Sequence, residues 1–320
     1  MPRLLLAPME GLVDAVMREA LTRAAAYDWC VTEFVRVSNT VLPARVYTRV
    51  APELLRGACT AAGVPVRVQL LGSDPGRMGA CAATLAGLNP AGVDLNFGCP
   101  APMVNRHGGG SILLDEPELL YRITGAVKDG VAGRVPLSAK MRLGVRDTHR
   151  AIEAAQALVA GGAELLVVHA RTKEDGYRPP AHWPWIARIA EAVNVPVVGN
   201  GEIWNVADYQ RCVAESGCQQ LMLGRGAVAD PFLAERIRAA AAGLEPHPAE
   251  VDWARLLPVI GDFWQGVLHK LEPHQAPGRI KQWLNLLRRT FPQAEHLHQR
   301  IRPLRQAAEV TDALQAAGAF

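Results

Sequence analysis

The chain has no uninterrupted apolar run near the ~18 residues that a membrane-spanning helix needs, which argues against a helical membrane protein. It has no C-x-x-C pair among its six cysteines, Cys30, Cys59, Cys81, Cys99, Cys212 and Cys218, so zinc-binding and thioredoxin-like readings are set aside and no metal site is expected. It has no signal-peptide pattern: the apolar start, Met1 to Pro8, is too short, and acidic Glu10 follows at once. Free thiols in a reducing cytoplasm are the expectation. It has no G-x-G-x-x-G after the first apolar run, which counts against an open doubly wound sheet. Nor does it carry much net charge, only +3.

What is present is apolar and ordered in pattern. The 320 residues are 49% hydrophobic, enough for one large core and a smaller appendage. Apolar runs recur at Leu4–Met9, Cys30–Phe34, Val66–Leu71, Gly92–Gly98, Pro136–Leu143, Leu165–Arg171, Val195–Asn200 and Gln220–Gly226. Several are apolar on both alternating faces, as in a parallel sheet covered on both sides. Helical periodicity fills most gaps, at Asp14–Ala26, Pro75–Leu88, Pro117–Lys128, Thr148–Ala160, Trp183–Val193 and Asn205–Ser216. Asp14 and Asn205 suit N-caps and Pro117 suits a first helical turn. Only Val35–Pro65 gives no clear pattern. Eight strand–helix alternations predict an α/β fold, a closed (β/α)8 barrel. Gly243–Pro248 reads as a linker, and the remainder is helical without strand candidates. The expected division is a catalytic barrel over residues 1–243 and an all-helical domain over residues 250–320.

The charge is unevenly placed. Residues 1–250 carry 25 basic and 25 acidic side chains, so the excess lies in the tail. Between Arg279 and Arg305 there are seven basic residues and one acid, Glu295, a patch suited to a polyanion. The stripe Ile280, Trp283, Leu284 and Leu287 has helical spacing and predicts a core-facing surface, with Trp283 packed inside and not stacking on a base.

On a barrel of this kind the chemistry sits at the C-terminal ends of the strands. Those ends carry Pro8, Met9 and Glu10, then Gln69, Asn96 and Cys99, then Lys140 and Arg142, His169 and Arg171, Asn200, Gly201 and Glu202, and Gly224 and Arg225. Such a ring suits a large planar polar ligand. Gly201 and Gly224 would admit phosphate oxygens to backbone N–H groups, and Arg225 adds a fork of donors, in the loops that usually bind phosphate on this fold. In a flavin site Gln69 could read the pyrimidine edge, and Lys140 would stabilise a reduced anionic ring. An unpaired lysine inside an apolar strand is costly, which favours a functional role for Lys140.

The strings APMEG, EFVR, QLLG, DLNFGCP, KMRLG, HARTKEDGY, NGEI and GRGA follow one another through the barrel. As an ordered set they resemble the tRNA-dihydrouridine synthase family, with Asn96-x-Gly98-Cys99-Pro100 and the later Gly110-Ser111-x-Leu113-Leu114 as the best discriminator. The tail string Arg279-Ile280-Lys281-Gln282-Trp283-Leu284 resembles the C subfamily, which acts on uridine 16 of the D-loop. The resemblance implies that Pro8, Met9, Glu10, Gln69, Lys140, His169, Asn200, Gly201, Glu202, Gly224 and Arg225 bind FMN. It implies that Cys99 is catalytic and that Asn96, Arg142 and Tyr177 hold a flipped uracil. It also implies that Arg36, Arg279, Lys281 and Arg302 orient tRNA. The segment Asn105-Arg106-His107 departs from the family pattern, so the contacts of that loop stay open.

The implied reaction uses NADPH to reduce FMN and passes a hydride to uracil C6, with Cys99 as the acid that protonates C5. The expected protein is monomeric and binds tRNA, neither membrane nor metal. One alternative is a barrel FMN reductase for a free small molecule, of dihydroorotate or ene-reductase type. Another is a tRNA-binding scaffold with an inactive barrel.

Overall fold

The computed structural model describes the backbone of residues 1–320 and the side chains of all but residues 249 and 250. Eight strands close into an all-parallel barrel in sequence order: β1 (Arg3–Leu6), β2 (Trp29–Arg36), β3 (Val66–Leu71), β4 (Val93–Phe97), β5 (Leu137–Arg142), β6 (Leu165–His169), β7 (Val197–Asn200) and β8 (Gln220–Leu223). All eight apolar runs became strands, because each has one face in the barrel interior and the other under helices. Closure is made by β8 against β1, in register from Arg3 with Gln220 to Leu6 with Leu223.

The outer helices are α1 (Ala15–Ala24), α2 (Ala44–Val50), α3 (Pro75–Ala86), α4 (Pro102–Arg106), α5 (Pro117–Val131), α6 (Ala151–Ala160), α7 (Pro184–Ala192), α8 (Val206–Ser216), α9 (Arg225–Ala229) and α10 (Leu233–Ala241). Asp14 and Asn205 cap α1 and α8 through side-chain oxygens, as their residue types suggested. Several expected boundaries move. The first strand stops at Leu6, short of the expected Met9, after Ala7 N–H makes a last bond to Leu223 O and Pro8 carries no donor. The eighth stops at Leu223, not Gly226, because Arg225 opens a helix. The sixth helix begins at Ala151 because Asp147 Oδ1 accepts from His149 N–H in a preceding turn. The unclear stretch after Val35 holds the end of β2, α2, a 3-10 turn at Pro52–Arg56 and a short bridge between Cys59 and Pro65.

Beyond residue 248 the chain forms α11 (Ala249–Lys270), α12 (Ala276–Leu287), α13 (Pro292–Ile301) and α14 (Ala307–Gln315). The stripe Ile280, Trp283, Leu284 and Leu287 is buried, and the Phe263 and Trp283 rings meet edge-on at 4.6 Å. These helices share one continuous apolar cluster with the barrel, running from Leu4 and Met17 to Phe263 and Leu314.

Polar contacts fix the angle of docking. Arg279 donates to the carbonyls of Gly11 (3.2 Å) and Leu12 (3.1 Å) and to Asp14 Oδ1 (3.1 Å), while Lys270 Nζ reaches Asp14 Oδ2 at 3.0 Å. Burial opposes the charge of Asp14, but Arg279 and Lys270 outweigh it and hold the carboxyl below its ordinary value. A depressed carboxylate contributes stability above its unfolded pKa of ~3.9 and loses it as pH falls through the lower folded value. Asp14→Asn keeps an N-cap oxygen but removes the charge. It should cost about 1–2 kcal/mol at neutral pH. In thermal melts its deficit against the wild type should narrow as the buffer is taken below about pH 4.

Candidate active site

The mouth of the barrel encloses a cavity of about 540 Å³. Residues from β2 to β8 and from the loops after the strands, the one after β1 included, line it, as positions at the strand ends require. Its floor is a polar layer. Strand register sets Gln69 beside Asp94 and Asp94 beside Ser138. Gln69 Nε2 donates to Asp94 Oδ2 (2.7 Å), and Ser138 Oγ donates to Asp94 Oδ1 (2.6 Å). Burial pushes the Asp94 pKa up, and these donors pull against it. Gln69 Oε1 in turn accepts from Asn96 Nδ2 at 2.7 Å.

That chain continues to the cysteine. Asn96 Oδ1 accepts from the backbone N–H of Gly98 (3.0 Å) and Cys99 (2.9 Å). The Cys99 carbonyl accepts from Ser111 N–H (3.1 Å), Ser111 Oγ (2.9 Å) and Asn105 Nδ2 (3.0 Å). Gly110 makes this closeness possible: its φ is +70°, and a Cβ there would sit 2.6 Å from the Cys99 oxygen. The loop whose contacts the sequence left open therefore anchors the cysteine through Asn105, while Arg106 and His107 point to solvent. The Cys99 side chain stays partly exposed in the cavity wall, and burial raises its pKa.

Basic groups follow on the neighbouring strand, β5. Lys140 Nζ donates to Asn200 Oδ1 at 3.0 Å. Burial, reinforced by Arg142, depresses the Lys140 pKa to about 8. Asn200 is itself held by a bond from Nδ2 to Met222 O (2.8 Å). Arg142 is buried and bridges two loops: Nε donates to Gly98 O, and Nη1 to Thr172 O and Gly176 O, each at 2.8 Å. Its Nη2 takes part in none of these three bonds. Burial, together with Arg142, Lys140, Arg171 and Arg225, keeps His169 neutral at physiological pH.

At the ends of β7 and β8, Gly201 has φ +117° and a Cβ there would meet the His169 ring at 2.8 Å. Glu202 pairs with Arg171 and accepts from Trp204 Nε1 at 2.9 Å. The Arg225 guanidinium lies 4.8 Å from the Tyr177 ring centre and 5.0 Å from that of Trp204. Arg142 lies 5.2 Å from Tyr177, which is 55% exposed and so available to a ligand.

The structure thus gathers Pro8, Met9, Glu10, Gln69, Asn96, Cys99, Lys140, Arg142, His169, Tyr177, Asn200, Gly201, Glu202, Gly224 and Arg225 around one cavity. Several do different work from that implied by the resemblance. Asn96 spends its oxygen on the cysteine loop and one N–H on Gln69, so one N–H remains for a ligand. Glu202 is occupied by Arg171 and Trp204. Among the residues expected to orient RNA, Arg279 docks the helical segment and Lys281 binds the Leu304 carbonyl. Arg302 is exposed, and Arg36 lines a separate polar cavity of about 470 Å³ with Arg77 and His107. Arg171 was placed on the rim from sequence but given no ligand role, and Trp204 was not singled out; the signal was its place two residues beyond Glu202. No cluster of metal-ligating side chains occurs among the described residues.

A family model described as dihydrouridine synthase (Dus) matches residues 5–319. The tRNA-dihydrouridine(16) synthase of Ralstonia nicotianae is 54% identical over 98% of this chain and 96% of its own length. The protein of the same name from Neisseria meningitidis serogroup B is 45% identical over 98% of this chain and 93% of its own. Among solved structures, histamine dehydrogenase from Rhizobium sp. 4-9 superposes with a TM-score of 0.58 at 14% identity, covering 82% of this chain and 48% of that one. The old yellow enzyme homologue from Zymomonas mobilis gives 0.50 at 14%, covering 75% and 89%. At such identities these two speak to the barrel fold alone.

The held cysteine generates a test. Alkylation of Cys99 by iodoacetamide should follow a thiolate pKa above the ordinary ~8.5. Asn96→Ala, which frees the loop, should accelerate the reaction at pH 7.5. Equal rates in the two proteins would show that the Asn96 bonds do not hold the thiol in place.

Proposed function

The chain belongs to the dihydrouridine synthase family, and on that premise we propose that it is a flavin-dependent reductase converting uridine to 5,6-dihydrouridine in the D-loop of tRNA, at position 16. The observation that carries this reading is a thiol, Cys99, held in the wall of the mouth beside Lys140 and Arg142 of the neighbouring strand, in a cavity that Arg171 and Arg225 also line. The position follows the names of the relatives.

The residues present fit FMN. The apolar Met9 and Met222 and the polar Gln69 and Lys140 line the same cavity. Gly201 leaves space that a Cβ would fill, and Arg171 and Arg225 line the cavity on that side, with Glu202 already paired to Arg171. When bound, the flavin supplies the hydride that adds to uracil C6, and NADPH is the proposed source of its electrons.

This chain's own groups complete the reduction. Cys99 Sγ gives its proton to C5, and a raised pKa keeps it in the acid form at neutral pH. Solvent then returns a proton to the thiolate. The remaining Nη2 of Arg142 and the remaining Nδ2 hydrogen of Asn96 are donors for the uracil carbonyls, and Lys140 stabilises negative charge nearby. Tyr177, exposed at the rim, is placed to stack on an extruded base.

Residues 1–243 act as the catalytic barrel and 250–320 as the helical RNA-binding domain in this reading. The tail's exposed arginines supply phosphate contacts that help offset base extrusion. The protein works as a monomer in the cytoplasm; its six cysteines are free thiols and no described helix is long and apolar enough to cross a membrane.

Three outcomes follow. Cys99→Ala should retain its yellow colour yet lose roughly 10²-fold or more of turnover, the usual contribution of a general acid; full turnover would remove Cys99 from that role. Incubation with NADPH and D-loop variants of a tRNA from a strain lacking dihydrouridine, read by mass spectrometry for two added hydrogens, should give product at position 16 and none at 20. Product at 20 alone would overturn the position. Activity should also fall steeply with added salt, as phosphate contacts require; an insensitive enzyme would favour a free small-molecule substrate.

A further inference from the structure

The helical segment reaches the mouth a second time at Arg289, two residues beyond the end of α12. Its guanidinium carbon lies 4.1 Å from the centre of the Trp204 ring. The same ring carries Arg225 at 5.0 Å, and its Nε1 donates to Glu202 at 2.9 Å. Trp204 therefore joins a residue of the tail to the residues at the ends of β7 and β8. A second contact reinforces it: Trp283 Nε1, from α12, donates to the Val228 carbonyl of α9 at 3.1 Å. Arg225 is the first residue of α9, so the tail holds that helix from behind and its arginine from the side.

Electrostatics gives the arrangement a purpose. Arg225 and Arg289 flank the Trp204 ring, and Glu202, whose carboxylate accepts from that ring, is already paired with Arg171. Like charges sharing one indole repel each other, and a dianionic group beside them offsets that repulsion. Burial lowers the Arg225 pKa, and Arg171 and Arg289 add to the effect against the opposing pull of Glu202.

We propose that Arg289 is a positioning residue for the cofactor: stacked on Trp204, it holds Arg225 toward the flavin phosphate, so that the helical segment completes the cofactor site as well as meeting RNA. The inference rests on Arg225 being the phosphate contact, and the experiment separates the two claims.

Full-length protein is loaded with FMN or with riboflavin, which lacks the phosphate, and flavin release on dilution is followed by recovery of fluorescence. Arg225→Ala should erase the advantage of FMN over riboflavin. Arg289→Ala should release FMN about five-fold faster, the loss expected for one cation–π stack, with riboflavin release unchanged. Arg289→Lys, which keeps the charge but not the planar stack, should fall between. Arg288→Ala removes a neighbouring charge paired with Glu295 at 3.2 Å and should leave both rates alone. If Arg225→Ala leaves the FMN advantage intact, the phosphate reading itself fails and the inference with it. If Arg225→Ala erases it but Arg289→Ala releases FMN at the wild-type rate, or speeds both flavins equally, the phosphate reading stands and the role of Arg289 is overturned.

Discussion

Closure of the sheet on itself is the constraint from which the rest follows. Four residues of β8 align with four of β1, and that seam turns a row of strands into a ring. A ring has one rim at the C-terminal ends of all its strands, so residues far apart in sequence are brought within hydrogen-bond reach. Lys140 and Asn200 meet this way, as do Gln69 and Asn96. Without the seam, β1 and β8 would be edges, and Met9 would not lie beside Gly224.

Within the ring, a buried carboxyl organises the catalytic wall. Asp94 cannot be left unpaired in the barrel interior, and Gln69 and Ser138 supply its donors. Satisfying Asp94 fixes which end of the Gln69 amide faces Asn96. That choice fixes which end of Asn96 meets the cysteine loop. The position of the thiol is therefore set from the floor upward, and the loop bonds through Ser111 and Asn105 lock it from the other side.

The strands were legible in the sequence because burial on both faces writes an apolar run that needs no partner to be recognised. The polar residues at the strand ends were legible for the related reason that the fold dictates where they point. Their partners were not. Whether Asn96 faces a ligand or a backbone depends on the register between β3 and β4 and on the path of the next loop. Arg279 illustrates the same limit: a basic residue on a helix looks alike whether it faces RNA or, as here, the carbonyls of Gly11 and Leu12. Tail–barrel contacts such as Arg289 on Trp204 join positions with no local pattern in common, so only the folded chain reveals them. The segment after Val35 stayed opaque because its elements are short and its bridge pairs only two residues.

The docking of the tail through Arg279 and Lys270 on the Asp14 cap bears on how such enzymes diversify. A tail sharing one apolar cluster with the barrel is held against it in one orientation, and on the reading proposed above that orientation sets which nucleotide meets the thiol. Its orientation is a fixed setting of the instrument, and the recognition surface turns with it. A lineage that came to modify another site would have to rebuild the seam between the two parts, with Asp14 and its partners among the first positions to change.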